Sequence, residues 1–291
     1  MFCSLSNIRL QNSKENPDRM KKKLSTVIIV IILFSGLSLL FFPTLSDFLN
    51  KVSRARDIST YADSVAEIDN DAYKKMWDDA VAYNERLAKL PAHWRLTDDE
   101  QAEYESLLDV AGRGIMATVE IPKLNCSLPV YHGTSNEVLQ IAIGHLEGSS
   151  LPVGGKSTHC VMSGHRGLPS AKLFTSLDKL VVGDVFSVRT LDETLSYEVD
   201  EISIVLPEET EKLQIVPGED LCTLMTCTPY GINTHRLLVR GHRVENEHAN
   251  EIRVTADALQ IDKTIVAPII AAPFMLALII AVIIYKHKRK V

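Results

Sequence analysis

The chain has 291 residues, enough for one substantial domain with attachments, and its formal net charge is −6. Residues 43–263 hold 21 Lys and Arg against 35 Asp and Glu, a net charge of −14. The two ends hold ten basic and two acidic residues, a net charge of +8. Nucleic-acid binding needs a basic surface, so the acidic central part argues against that class of function.

Two uncharged apolar segments, residues 24–42 and 265–285, are 19 and 21 residues long. At about 1.5 Å per residue, each matches the ~30 Å hydrocarbon core of a bilayer. The first could be a cleaved signal peptide, but its run is longer than a usual signal core and no convincing cleavage site precedes Pro43. The second could be a buried core helix, which Pro268 and Pro273 would weaken, but the basic residues after it favour a membrane stop. We therefore expect a retained signal anchor and a second transmembrane helix.

Basic residues flank both apolar segments on their outer sides. Arg19 and the run 21–23 precede the first segment, and the sequence KHKRK (286–290) follows the second. The positive-inside rule then places both termini in the cytoplasm and residues 43–263 outside the cell. We expect a cell-membrane protein whose lipid contacts are made by these two segments.

The predicted organisation has seven parts. They are a cytoplasmic tail (1–23), a transmembrane signal anchor (24–42), a helical extension (43–111), a β-rich domain (112–245), a linker (246–263), a transmembrane helix (264–285) and a basic cytoplasmic tail (286–291).

The extension is predicted to be helical because no Gly or Pro interrupts Phe48 to Leu90. One stripe of side chains recurs at helical spacing and can face a core; its members are Tyr73, Met76, Trp77, Ala80, Tyr83 and Asn84. Pro91 ends the stretch. The sequence from Thr97 to Glu100 is a capping-box pattern that opens a short helix through about Asp109.

Short β-type runs separated by Gly, Pro, Asn and Asp follow from Gly112. The runs are Ala117–Ile121, Cys126–Tyr131, His159–Ser163, Val185–Arg189, Leu195–Val205, Leu221–Cys227 and Arg236–Val244. Several short strands with turn signals predict a mainly β fold in the form of a closed antiparallel barrel.

Cys227 is the candidate nucleophile. It ends a strand-like run and precedes Thr228-Pro229, where regular pairing must stop, so its thiol would be exposed to a groove. Because side chains alternate along a strand, Thr223 and Cys227 would share one face and Cys222 would point to the other.

His165 and Arg236 are the candidate acid/base and cationic stabiliser. His165 lies in a loop-forming stretch, and an imidazole with a pKa near ~6.5 exchanges protons at neutral pH. Arg236 could favour the thiolate or hydrogen-bond a substrate carbonyl as charge develops on it. Arg240 lies four residues after Arg236 and would share its strand face, but we rank it below Arg236 as the candidate stabiliser. Three other histidines are interpreted as structural, and they are His132, His145 and His159.

A zinc site is the rival interpretation of the Cys and His residues. It would draw on His159, Cys160, His165, Cys222, Cys227 and His235. Structural zinc usually uses short paired spacings, and Cys222 and Cys227 have opposite predicted faces, so we expect no metal and no cofactor. In an exported protein one disulfide among Cys126, Cys160 and Cys222 is possible, but we interpret all three as small buried residues.

The run TLMTC (223–227), with Arg236 after it and SGH (163–165) before it, resembles the signature of sortases, the cysteine transpeptidases of Gram-positive cell surfaces. The sequences EIPKLN, YHGTS, GHLEGSSLPVGG, SGHRGLPSAKLF and TCTPYGINTHRLLVRG are similar to the pilus-assembling branch, class C. The resemblance implies an eight-stranded sortase-type β-barrel with short helices. It also implies a helical N-terminal extension with a lid over the active site and two flanking transmembrane helices.

The resemblance also implies a reaction and partners. Cys227 would cleave an LPXTG-type sorting signal and form a thioacyl-enzyme, His165 would protonate the leaving amine, and a pilin Lys would resolve the intermediate. The partners would be pilin subunits with sorting signals and acceptor Lys residues. The alternatives are an enzyme that anchors proteins to a peptidoglycan amine, a non-catalytic surface-binding module and a secreted cysteine protease.

The resemblance further implies a lid motif of Asp, Pro and an aromatic residue before the barrel. The corresponding stretch is Pro91-Ala-His-Trp94, in which Trp94 matches the aromatic residue. Ala92 and His93 stand where Asp and Pro are expected, so the Asp that would contact the catalytic Arg is absent. Trp94 could still hold a lid by stacking, with a pH-dependent contact from His93, or it could simply pack against the barrel.

Overall fold

The structure is a computed structural model that describes residues 17–90, 94–168 and 171–246. The chain divides into two compact units between Pro43 and Thr44. The predicted second membrane helix (264–285), the basic tail after it and nearly all of the linker lie outside the described residues.

Four α-helices occur in the described ranges, and they are α1 (Pro17–Glu67), α2 (Asn70–Leu87), α3 (Asp98–Ser106) and α4 (Asn136–Ile141). The part of α1 from Ser25 onward contains an exposed 18-residue window with a mean hydropathy of 2.6. Within the described part of the chain, α1 is the one helix that is long and apolar enough to cross a membrane. One of the two predicted membrane helices therefore has a structural counterpart in length and composition.

The predicted helical extension consists of two helices with a break at Ile68 and Asp69. The Asp69 side chain accepts a hydrogen bond from the backbone N–H of Ala72 and so caps the start of α2. In α2 the predicted stripe is confirmed, since Ala80, Tyr83 and Asn84 are buried and the other members pack against the core. The capping box at Thr97 and Glu100 is also present, but α3 ends at Ser106, three residues before the predicted end.

Eight strands close into a barrel in the order β1-β2-β3-β4-β7-β8-β6-β5. They are β1 (Ile115–Ile121), β2 (Cys126–His132), β3 (Ile143–His145), β4 (Thr158–Ser163), β5 (Val185–Thr190), β6 (Glu193–Val205), β7 (Asp220–Thr228) and β8 (His235–Val244). The closed barrel is confirmed, but the prediction that it is antiparallel is wrong for two pairs. β2 pairs with β3, and β4 with β7, in parallel, because the chain returns through long connections rather than hairpins.

The helical extension is joined to the barrel by buried polar contacts. Tyr61 of α1, 2% exposed, donates from its hydroxyl to the carbonyl of Met116 (3.0 Å) and accepts from the N–H of Leu191 (2.8 Å). Asn84 of α2 exchanges two hydrogen bonds with the backbone of Leu151, at 3.0 and 2.8 Å. These contacts satisfy backbone groups that lie outside the barrel's own strand ladders.

The Asn84 contact generates a stability prediction. Asn84→Ala leaves the buried N–H and C=O of Leu151 without partners, and we expect a loss of about 2–4 kcal/mol in the free energy of unfolding. Denaturant unfolding of the full chain in detergent micelles measures the loss. Glu85→Ala, at the exposed neighbouring position, is the matched control and should change the free energy by less than about 0.5 kcal/mol. Equal effects of the two variants would contradict the assigned role of Asn84.

Candidate active site

The parallel pairing of β4 with β7 brings the ends of two distant stretches of chain together. The register runs from Thr158 opposite Asp220 to Ser163 opposite Met225. Past that point, Gly164 donates from its N–H to the Met225 carbonyl (3.0 Å), and the Thr226 hydroxyl donates to the Gly164 carbonyl (2.7 Å). His165 and Cys227 are the next residues along the two segments, so a continuation of the same register would bring them side by side.

Cys227 is half-buried and free at the end of β7. The alternation predicted for this strand is confirmed, because Cys222 and Leu224 are fully buried among the apolar residues of the barrel interior. Cys227 and Met225 therefore lie on the opposite, outer face. A thiol on this face can be reached by a substrate.

Arg236 lies directly opposite Cys227 in the antiparallel pairing of β7 with β8. Side chains of such cross-strand pairs have Cβ atoms about 4.5–5.5 Å apart on one face. The Arg236 guanidinium donates from Nη1 to the carbonyls of His235 (3.2 Å) and Asn233 (3.4 Å). Arg240 lies opposite Thr223 and forms a two-point pair with Asp200, both bonds 3.0 Å long. Of the two arginines, Arg236 is therefore the one that lies opposite Cys227 in the pairing of β7 with β8.

His165 is half-buried at the start of the loop that follows β4. Burial lowers the pKa of its imidazole below the ordinary value of 6.5, because removal from water disfavours the charged form. The histidines interpreted as structural have hydrogen-bond partners inside the fold. For example, His159 contacts the Gln214 carbonyl and the Thr223 hydroxyl, both at 2.8 Å.

A second, smaller cluster of buried apolar side chains includes residues on the outer face of the barrel. This cluster, named the groove cluster after the substrate groove expected there, consists of Val161, Val205, Leu213 and Leu238, with Leu146, Met225 and Trp94 packed against it. Met225 and Leu238 are two positions from Cys227 and Arg236 on the same strands, so they share their face. Trp94 therefore packs against the groove cluster, beside the candidate site. His93 lies outside the described residues.

No hydrogen bond joins Cys227, His165 and Arg236 within the described ranges. Catalytic hydrogen bonds are often long without substrate and tighten in the complex, so this arrangement is compatible with a resting site. Cys126, Cys160, Cys222 and Cys227 are all free thiols, and the possible disulfide is not formed among them. No group of three or more His, Cys, Asp or Glu side chains in the described residues could hold a metal ion.

Arg166 is a residue of this site to which the sequence analysis assigned no role. Its guanidinium donates to the Thr228 hydroxyl (3.2 Å) and to the Asp178 carboxylate (2.6 Å). Arg166 directly follows His165 in the chain, and it contacts Thr228, which directly follows Cys227. Its position beside a candidate catalytic histidine was the only sequence signal, and its partners are 12 and 62 residues away.

Comparisons with known proteins agree on one family. The family model described as Sortase domain matches residues 119–244. Sortase C1 from Streptococcus agalactiae is 54% identical over 66% of this chain and 100% of that chain, with a TM-score of 0.65. Clostridium perfringens sortase C, solved with the C-terminal cell wall sorting motif, is 40% identical over 65% of this chain and 98% of that chain, with a TM-score of 0.58.

More distant relatives match over a shorter part of their length. Sortase D of Bacillus subtilis is 29% identical over 129 residues, which are 43% of this chain and 62% of that protein. Across the curated relatives that it matches, the chain spans about half to three fifths of their length.

The lowered pKa of His165 can be tested directly. We expect the imidazole to titrate below 6.5, so that it is neutral at pH 7, because burial is the cause of the shift. NMR titration of the His165 ring resonances, assigned by their loss in His165→Gln, measures the value. A stable ion pair with a Cys227 thiolate would instead raise the pKa above 6.5, and that result would contradict the prediction.

Proposed function

This chain belongs to the sortase family of cysteine transpeptidases, and on that basis we propose that it is a membrane-anchored class C sortase that polymerises pilin subunits. Its substrate would be an LPXTG-type sorting signal, and its acceptor would be a Lys amine of another subunit. The likeness to class C structures over about two thirds of the chain supports this branch of the family.

The proposed reaction has two steps at one sulfur. The Cys227 thiol gives its proton to His165, the resulting thiolate attacks the carbonyl of the Thr–Gly bond, and His165 passes this proton to the leaving Gly amine. A thioacyl-enzyme remains. The Lys amine then attacks the thioester carbonyl, His165 takes up the amine proton, and an isopeptide bond forms as the Cys227 thiolate leaves and recovers the proton from His165. In both steps Arg236 would stabilise the negative charge that develops on the carbonyl oxygen.

One observation carries the proposal. Cys227 of β7 is paired with Arg236 of β8, and the parallel pairing of β4 with β7 ends two residues before His165 and Cys227. This supports the proposal, because a nucleophile, an acid/base and a cationic donor are the groups that acyl transfer requires.

The proposed location is the outer surface of the cell membrane. The apolar part of α1 would be the anchor, the segment 264–285 a second span, and both termini would be cytoplasmic. The acidic central part of the chain suits an acceptor that carries a Lys amine, since opposite charges favour encounter.

Covalent assembly of candidate pilin subunits by the full chain in vesicles tests the function. We expect ladders of linked subunits with the wild type, none with Cys227→Ala or His165→Ala, and a rate ~10²–10³ lower with Arg236→Ala. Arg189→Ala, at an ion pair outside the groove, is the matched control. Ladders that persist with Cys227→Ala would contradict the assignment. Linkage only to a peptidoglycan amine would favour a wall-anchoring sortase, and release of hydrolysed product regardless of added amine would favour a protease.

The contact of Trp94 with the groove cluster supports a gating role. If Trp94 covers the groove cluster on which a sorting signal must lie, Trp94→Ala should speed both cleavage of a sorting-signal peptide and modification of Cys227 by a bulky thiol reagent. We expect a rise of about tenfold or less, which corresponds to ~1.4 kcal/mol for displacing the ring. Trp77→Ala, on α2, is the control, because Trp77 packs against the main hydrophobic core and not against the groove cluster. Unchanged reactivity of Cys227 in Trp94→Ala would exclude gating by this side chain.

A further inference from the structure

The sheet fixes the position of Cys227, which is paired with Arg236 of β8, but it does not fix the position of His165. The last bonds between the β4 segment and the β7 segment involve Gly164 and Thr226. His165 follows in the loop after β4, whereas Cys227 and Thr228 are still part of β7. Some other interaction must hold the imidazole and the thiol at a fixed separation.

The Arg166 side chain occupies the place where this interaction is needed. Nη1 donates to the hydroxyl of Thr228, the last residue of β7, and Nη2 donates to the carboxylate of Asp178. The guanidinium also lies 6.0 Å from the centre of the Tyr230 ring. The side chain is only 10% exposed, so water competes little for these bonds.

Two further observations indicate that the placement of Arg166 is constrained. Its Nε atom is buried and has no hydrogen-bond partner in the described chain. The guanidinium is therefore oriented so that Nη1 and Nη2 form hydrogen bonds while Nε forms none. Gly167 adopts a φ of +82°, and a Cβ atom there would approach the Tyr230 ring to 2.9 Å. The His165 loop therefore contacts the end of β7 through Arg166 and the segment just after β7 through Gly167.

We propose that Arg166 is a positioning residue that locks the loop carrying His165 to the end of β7, which carries Cys227, with Asp178 orienting its guanidinium. The planar fork of Arg makes two directed bonds at once, whereas a Lys ammonium would make a single, less directed contact. The inference rests on the proposed function for its catalytic meaning, but the lock itself is a property of the fold.

Kinetics of the full chain in vesicles tests the catalytic part. Arg166→Gln should lower kcat for sorting-signal transfer to an amine by ~10–100-fold with KM changed by less than about threefold, since a misplacement of about 1 Å can cost ~10² in rate. Arg166→Lys should be intermediate. Thr228→Val should lower kcat in the same direction, and the double variant Arg166→Gln/Thr228→Val should lose less than the product of the two losses. Arg189→Gln, which breaks a surface pair of the same type, should keep the wild-type kcat.

Hydrogen–deuterium exchange tests the lock without any activity. In Arg166→Gln, amide exchange should become faster in the two segments 164–168 and 229–232, with the barrel strands unchanged and the unfolding temperature within about 3 °C of wild type. If Arg166→Gln exchanges faster but the wild type transfers no sorting signal to an amine, the proposed function is overturned and the lock is supported. Three outcomes would overturn the lock. They are unchanged exchange in both segments, wild-type kcat in Arg166→Gln or Arg166→Lys, and a loss of kcat that follows loss of folded protein. If Arg166→Gln does not fold, Thr228→Val alone decides by the same two measurements.

Discussion

The parallel pairing of β4 with β7 is the constraint on which the candidate site depends. Parallel strands present the same end at the same edge of a sheet, so the residues that leave β4 and β7 emerge side by side. In an antiparallel pair, His165 and Cys227 would lie at opposite ends of the pairing, about 20 Å apart over six residues at ~3.3 Å each. β8 then adds Arg236 beside Cys227 through an ordinary antiparallel register. Two different kinds of pairing on one central strand thus collect three functional groups.

The helical extension contributes to the same arrangement from outside the barrel. The Asp47 carboxylate of α1 accepts a hydrogen bond from the N–H of Lys172 (3.0 Å), in the loop that begins with His165. In that loop, Phe174 donates from its N–H back to the His165 carbonyl (3.2 Å). The loop that carries His165 is therefore supported by backbone contacts on one side and by Arg166 on the other. Its geometry depends on an element far away in the sequence.

The sequence predicted those features that depend on local periodicity. Alternation along residues 221–227 indicated which cysteine faces outward, and the capping box located the start of α3. The strand partners were not predictable in this way. β3 is too short to show alternation, and the parallel pairs depend on the long-range path of the chain. Arg166 was missed for the same reason, because nothing within a few residues of it reveals a bond to Thr228.

Because side chains alternate along β7, substitutions that affect folding and substitutions that affect the outer face fall at different positions of the same strand. Substitutions at Cys222 or Leu224 alter the packing of the barrel interior, whereas those at the half-buried Met225 alter the outer face beside Cys227. Because these sets of side chains point in opposite directions, one can change while the other stays constant. Such a scaffold can acquire a new substrate preference without sacrificing robustness. Directed evolution could exploit this by randomising only the outward positions.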